Sequence, residues 1–504
     1  MNAFLIISPS LCFAFQFQTN RPTRRPTYNP TRRPTNAPSD PPIPDPTPVP
    51  FNQPTRDPTY EPTGRDPTRN PTRRPTDRPI KDPTYEPTPR PTNRPTRPPT
   101  NPPVDTPTYP PTRSPTRSPV LAPVITPTGP NTLPPIVTVC GGLTPNERES
   151  LISAQLSTYS GSTASIPGTP QNQAKQWLIN EDSMQVCPDD FLDVQQRYIL
   201  AILYFSTEGD QWDNCNALSA ARQSPCETDT ERFLSSADVC FWFGITCNRL
   251  RVSGISVDEN NLRGSLPEEI GFMEQIEDLD FDGELDEGLN YLIGTIPSTL
   301  GLLEKLMTLD LDSNELTGSI PEELFDADRL TILDLDSNEL SGTLSSKFSN
   351  LEELQILFLD NNGFSGTLPP GIGEMEELRF LRLDRNELSG SIPDEWEAME
   401  KLRVLFLNNN AGITGTIPEY LGNFVSMQQL SLFDTGASGT VPSSLGQLNG
   451  LVNLFLHFTD LTGTMPQEIC DLRTSGALNF LTADCAGNNP KLACSQPDCC
   501  TVCF

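Results

Sequence analysis

Apolar and polar positions in the C-terminal half of the chain fall into one recurring pattern, L-x-x-L-x-L-x-x-N-x-L-x-G-x-I-P. The clearest copies are "LMTLDLDSNELTGSIP" from Leu306, "LTILDLDSNELSGTLS" from Leu330, "LQILFLDNNGFSGTLP" from Leu354 and "LRFLRLDRNELSGSIP" from Leu378, starting 24 residues apart. The others start at Val252, Ile276, Leu402, Met427 and Leu451, with an insertion around "GELDEG" in the second and one extra residue near Ala411. A shorter echo, "LNFL" from Leu478, fades into a cysteine-rich end. A fixed period held over nine copies predicts a stack of like units. Each unit is predicted as one short strand plus a return segment. Its three leucines point inward onto those of its neighbours, because no single unit can bury its own apolar face. Asn260, Asn314, Asn338, Asn362, Asn386 and Asn410 stand where the backbone leaves the strand, and inward amides there are expected to satisfy buried backbone groups. Thr435 and Thr459 replace them in the last two copies. The glycine of each copy suits a positive-φ turn, and the proline after it fixes the return.

Upstream the period is helical. "TPNE" offers Thr144 as a cap, Pro145 at the first helical position and Glu147 to close a capping box. "PQNQAKQWLI" is a second candidate helix. A third, "DDFLDVQQRYILAILYFSTEGDQW", aligns Phe191, Val194, Tyr198, Ala201, Ile202 and Phe205 on one side, the expected cover for the open end of the stack. From Arg21 to about Thr128 no apolar period exists. Pro-Thr pairs recur instead, as in "RPTRRPTYNPTRRPT", and such a segment cannot bury a core. With 54 prolines in 504 residues, it reads as a stiff polyproline stalk, either an inert spacer or an attachment to cell wall or matrix. The start, "MNAFLIISPSLCFAFQF", reads as the apolar region of a signal peptide with Cys12 and Ala14 before the cleavage point. A truncated start and a short membrane anchor are the alternatives. The expected organisation is a signal peptide over 1–14, the stalk over 15–135, a helical and cysteine-rich cap over 136–250, nine repeats over 251–469 and a cysteine-rich cap over 470–504.

Charge divides at the same border. Residues 21–130 carry 17 basic and 9 acidic side chains; the chain has 35 and 65, so the remainder carries 18 and 56, a net of −38. That balance argues against nucleic acid as a partner of the folded part. Thirteen cysteines comprise Cys12, six between Cys140 and Cys247, and Cys470, Cys485, Cys494, Cys499, Cys500 and Cys503. Two even clusters suit disulfides in an oxidising compartment. Cys500-x-x-Cys503 also has zinc-ligand spacing, though the extracellular signals favour disulfides that seal the last repeat.

The x-L-x-G-x-I-P extension resembles the plant-type leucine-rich-repeat family, which includes polygalacturonase-inhibiting proteins and receptor-like kinase ectodomains. "VCFWFGITC" looks like that family's W-x-G-V-x-C cap. The resemblance implies that Cys240 pairs with Cys247 and that Trp242 packs under the first repeat. With "QRYILAILYFSTEGDQW" and "ADCAGNNPKLACSQPDCCTVCF", the chain is also similar to the leucine-rich-repeat surface proteins of diatoms. The resemblance covers roughly 144–504 and departs from receptor kinases in lacking a kinase domain and a transmembrane helix after the repeats. It implies an α/β repeat solenoid with short parallel strands on a concave face.

On that face, side chains flanking the buried leucines form columns. One column runs Ser256, Asp280, Asp310, Asp334, Phe358, Arg382, Phe406, Ser431 and Phe455; the other runs Asp258, Asp282, Asp312, Asp336, Asp360, Asp384, Asn408, Phe433 and His457. Stacked like charges repel, so the aspartates are expected either to bind a cation, Ca²⁺ or a basic protein, or to form a solvated face with modestly raised pKa values. Phe358, Phe380, Phe406, Phe433 and Phe455 predict exposed aromatic surface for sugar rings or a protein loop, unless loops or a second subunit cover it. His457, the single histidine, has no nucleophile motif beside it and is expected as a rim side chain. There is no Gly-rich phosphate loop, histidine-based metal set or nucleophile elbow, and no cofactor is expected. The sequence therefore points to a non-catalytic, secreted or cell-surface protein that binds an extracellular protein or polysaccharide. The alternative is a structural adhesion protein held to the wall by its stalk.

Overall fold

A computed structural model describes residues 140–217, 226, 230–283, 290–475, 477–487, 490–494, 496 and 499–504. The expected signal peptide and stalk lie outside the described residues. Leucine spacing builds the main element directly. Strands of three to six residues from successive units pair in parallel, so that Leu279, Leu309, Leu333, Leu357, Leu381, Leu405, Leu430, Leu454 and Leu481 form one buried row. Each is essentially inaccessible to solvent, and truncating any one to alanine costs about 2–5 kcal/mol. Leu481 belongs to Phe480–Ala483, which pairs with Asn453–Phe455. The echo near Leu478 is thus a true further rung, and Val502–Cys503 adds to it in parallel. At the other end the sheet begins with an antiparallel pair, Ile245–Asn248 against Arg251–Ser256.

The asparagines do the expected work. The Asn338 side-chain oxygen accepts from the Leu316 amide at 3.0 Å, while its nitrogen donates to the Leu311 and Asp336 carbonyls at 2.8 and 3.1 Å, so one amide stitches two units. Asn290 fills this role in the second unit, where the insertion hides it from the repeat pattern. Thr435 and Thr459 keep only half of the arrangement, each donating its hydroxyl to the carbonyl three residues back. Beyond the asparagine a second ladder runs from Arg263–Gly264 to Asp460–Leu461. Its turn glycine sits at φ near 83° at Gly318, where a side chain is strained. Pro297, Pro321, Pro369, Pro393, Pro418 and Pro442 then start short 3₁₀ segments that return the chain to the next strand.

Three helices close the N-terminal end: α1 (Pro145–Ser160), α2 (Pro170–Gln176) and α3 (Phe191–Ser206). Thr144 and Glu147 form the capping box of α1. The third helix ends earlier than the apolar pattern implies, and its burial is broader than one stripe. Ile199, Leu200, Leu203 and Tyr204 are as buried as Tyr198, whereas Phe191, expected on the buried side, is 66 % exposed. From Gln196 to Tyr204 the helix is buried on every side, so periodicity alone understates its core. Arg197 is buried with it. It holds Asp182 through two nitrogens, at 2.9 and 2.6 Å, donates to the Ser235 and Ala237 carbonyls, and lies over the rings of Trp177 and Trp242. Cys240 pairs with Cys247, and Trp242 is 1 % exposed. The other N-terminal pairs are Cys140–Cys187 and Cys215–Cys226; at the far end they are Cys470–Cys499, Cys485–Cys503 and Cys494–Cys500. Cys500 and Cys503 are thus disulfide partners of Cys494 and Cys485. No described helix is long and apolar enough to cross a membrane.

Candidate ligand-binding face

Strand alternation sends one set of side chains into the leucine core and the other to the outer side of the long sheet. The pairing register aligns Ser256, Asp280, Asp310, Asp334, Phe358, Arg382, Phe406, Ser431 and Phe455 as one column. The ladder continues past the strand ends. The amides of Glu259, Ser313, Ser337, Asn361 and Arg385 donate to the carbonyls of Asp282, Asp336, Asp360, Asp384 and Asn408, which keeps the second column in step. A third column precedes the central leucine and includes Asp278, Thr308, Phe380 and Phe480, of which only Phe380 is expected on this face from the sequence.

The carboxylates do not form a solvated face. Asp258, at the end of the row, is exposed and accepts from Ser256 Oγ. Asp282, Asp312, Asp360 and Asp384 are 8, 7, 1 and 3 % exposed. Burial, and then neighbouring aspartates, push Asp280 up to about 6, Asp282 to about 8, Asp310 to about 7 and Asp312 to about 9. Asp334 is raised well above its usual range for the same reasons. One oxygen each of Asp280, Asp282, Asp312, Asp360 and Asp384 is fully buried without a hydrogen-bond partner. Asp336 differs, accepting from its neighbour Ser337 at 2.9 Å.

Two rungs later the row changes. Arg382 donates to Asp360 at 2.6 Å, and Arg385 lies 3.3 Å from Asp384 and 4.0 Å from Asp360. Burial lifts Asp360 and Asp384, and both arginines oppose the rise. Burial pulls the Arg382 guanidinium down, but the carboxylates, Asp360 foremost, outweigh it and hold it protonated. The expectation that Phe358 is exposed fails here. It is 3 % exposed because Arg382, its partner on the next strand, covers its ring with the guanidinium carbon 4.9 Å from the centroid. Arg385 is invisible to the repeat pattern because it occupies the positive-φ position before the asparagine, φ 52°, where side-chain identity carries no repeat signal.

Phe380, Phe406, Phe433 and Phe455 remain half-buried on the face. His457, expected as a rim side chain, is partly exposed. It stacks between Phe433, 4.7 Å away, and Phe504, 4.2 Å away, and its Nδ1 lies 2.7 Å from Thr482 Oγ1. Burial lowers its pKa against the pull of Asp484 and Asp434, so near neutral pH it is an uncharged ring in a stack. Phe458 packs edge-on against both His457 and Phe504. Phe458, Phe480 and Phe504 are 56, 50 and 45 % exposed. The repeat pattern cannot place these three, since Phe458 is a turn residue, Phe480 belongs to the echo and Phe504 lies outside the repeat.

Two family profiles match the chain, "Leucine rich repeat" over residues 304–364 and "Leucine Rich Repeat" over residues 377–399. No curated protein matches it. Among solved structures it is similar to the plant peptide hormone receptor RGFR1 in complex with RGF2, with 32% identity, 46% of this chain and 36% of that chain covered, and a TM-score of 0.42. It is also similar to the LRR ectodomain of the plant membrane receptor kinase GASSHO1/SCHENGEN3 from Arabidopsis thaliana in complex with CASPARIAN STRIP INTEGRITY FACTOR 2. There the identity is 29%, the coverage 58% and 36%, and the TM-score 0.47. The chain spans little more than a third of the length of either protein.

Proposed function

We propose that the chain, matched by leucine-rich-repeat profiles over residues 304–364 and 377–399, is a non-catalytic recognition protein of the cell surface or extracellular space. Its ligand, a protein or a carbohydrate, lies across the outward face of the long sheet and is anchored at the C-terminal end. The observation that carries this reading is the aromatic group of Phe433, His457, Phe458 and Phe504, continuous by ring contact and half open to solvent. Aromatic surface of this kind stacks on sugars or anchors protein loops. Ser431 Oγ and Asn453 Oδ1, buried on the same face without partners, offer polar groups beside it. Six disulfides suit an oxidising compartment. His457, locked in a stack and bonded to Thr482, is poorly placed for proton transfer.

The test is retention of the full-length chain on extracellular polysaccharides and secreted peptides. Phe458→Ala combined with Phe504→Ala is expected to weaken capture by about tenfold or more, with the melting temperature held within a few degrees. Undiminished capture by a folded double variant contradicts the proposal.

A further inference from the structure

Five aspartates on three successive strand segments stand apart from the rest of the acidic row. Carboxylate oxygens of Asp280, Asp282 and Asp310 all lie within 4.8 Å of one another, as do those of Asp310, Asp312 and Asp334. A Ca²⁺ ion binds oxygens at about 2.3–2.6 Å, so ligands on opposite sides of one ion stand about 5 Å apart. The spacing therefore matches the span of a coordination sphere. Asp282 and Asp312 supply the second, independent observation. Each is more than nine-tenths buried, and each has a fully buried oxygen that accepts no hydrogen bond. Among the described residues, no lysine or arginine forms an ion pair with any of the five.

We propose that this cluster is a binding site for a hard divalent cation, Ca²⁺, with Asp310 shared between two overlapping ligand sets. The donors are all carboxylate oxygens, with no histidine or cysteine among them, which selects calcium over zinc or copper. The main-chain carbonyls of Asp280, Asp310 and Asp334 are engaged by the amides of Val257, Phe281 and Leu311, so water completes the shell. With all five carboxylates ionised, one ion takes their net charge from −5 to −3, and a second ion on the other set takes it to −1. The site stands apart from the recognition reading, because the aromatic group belongs to the last rungs and the cluster to early ones.

The experiment titrates CaCl₂ into the full-length chain after chelation, near neutral pH, by calorimetry, with MgCl₂ in parallel. Saturable Ca²⁺ binding is expected, with a dissociation constant on the order of 10⁻⁴ M, typical of extracellular calcium sites. Asp282→Asn and Asp312→Asn should each weaken it by about tenfold or more, while Asp360→Asn, whose partner is Arg382, should not. A measurement free of substitutions guards against variants that fail to fold. The wild-type melting temperature should rise on replacing chelator with millimolar Ca²⁺ and respond less to Mg²⁺. A melting temperature indifferent to Ca²⁺, or equal affinity in a folded Asp282→Asn/Asp312→Asn variant, overturns the proposal.

Discussion

The same row of aspartates meets two fates along one sheet. In the units that start at Ile276, Leu306 and Leu330, carboxylates occupy both outward columns, and burial raises the pKa values of Asp280, Asp282, Asp310, Asp312 and Asp334. In the units that start at Leu354 and Leu378, one column turns into Phe358 and Arg382, and Arg382 and Arg385 pair with Asp360 and Asp384, opposing the rise that burial still causes, to about 8 at Asp360. The leucine core, asparagine stitching and strand register are alike in both regions, so the contrast is one of charge alone. A repeat scaffold tolerates either arrangement because stability comes from the stack behind the face. What the face does is therefore written in the variable positions.

The contrast can be broken most forcefully at Arg382. Its removal in Arg382→Ala leaves Asp360 buried without its 2.6 Å partner and uncovers Phe358. Stability should fall by about 3 kcal/mol, read as a lower denaturant midpoint at unchanged slope. Asp312→Asn should act in the opposite sense. Measured in chelator near neutral pH, Asp312, raised to about 9, is protonated in the folded chain and ionised in the unfolded one, so asparagine removes the cost of taking up that proton and should stabilise the fold by about 1 kcal/mol or more. Asp258→Asn, at the exposed end of the row, should change stability by no more than about 0.5 kcal/mol. If Asp258→Asn and Asp312→Asn have equal effects in the same denaturation assay, burial does not govern the row.

Much of this is legible in the sequence and some is not, for physical reasons that attach to particular residues. The leucine period and the asparagines determine the strands and their register, so the two outward columns follow from the repeat alone. Local pattern does not report what a neighbour on the next strand does. Phe358 looks like exposed aromatic surface until Arg382 is placed beside it, and Asp360 looks like Asp312 until the same arginine is counted. Asn290 is masked by the insertion before it. Arg385 and Phe458 occupy turn positions whose identity the repeat leaves free. Phe504 reaches the His457 stack only through a terminal segment that obeys no period. The boundaries of the buried part of α3 are blurred because an interior helix presents no single apolar stripe.

The central claim is that the early rungs carry buried carboxylates with no positive partner, and melting temperature as a function of pH tests it most directly. These groups titrate in the folded chain near 6 to 9 but near 4 when unfolded. Between those values the folded state binds more protons, so their contribution is fully present below about pH 4 and is lost as pH rises through 6 to 9. With chelator present, the full-length chain should melt at progressively lower temperature from pH 5 to pH 9, and millimolar Ca²⁺ should flatten the decline. A melting temperature that stays level or rises over that range in chelator would contradict the account.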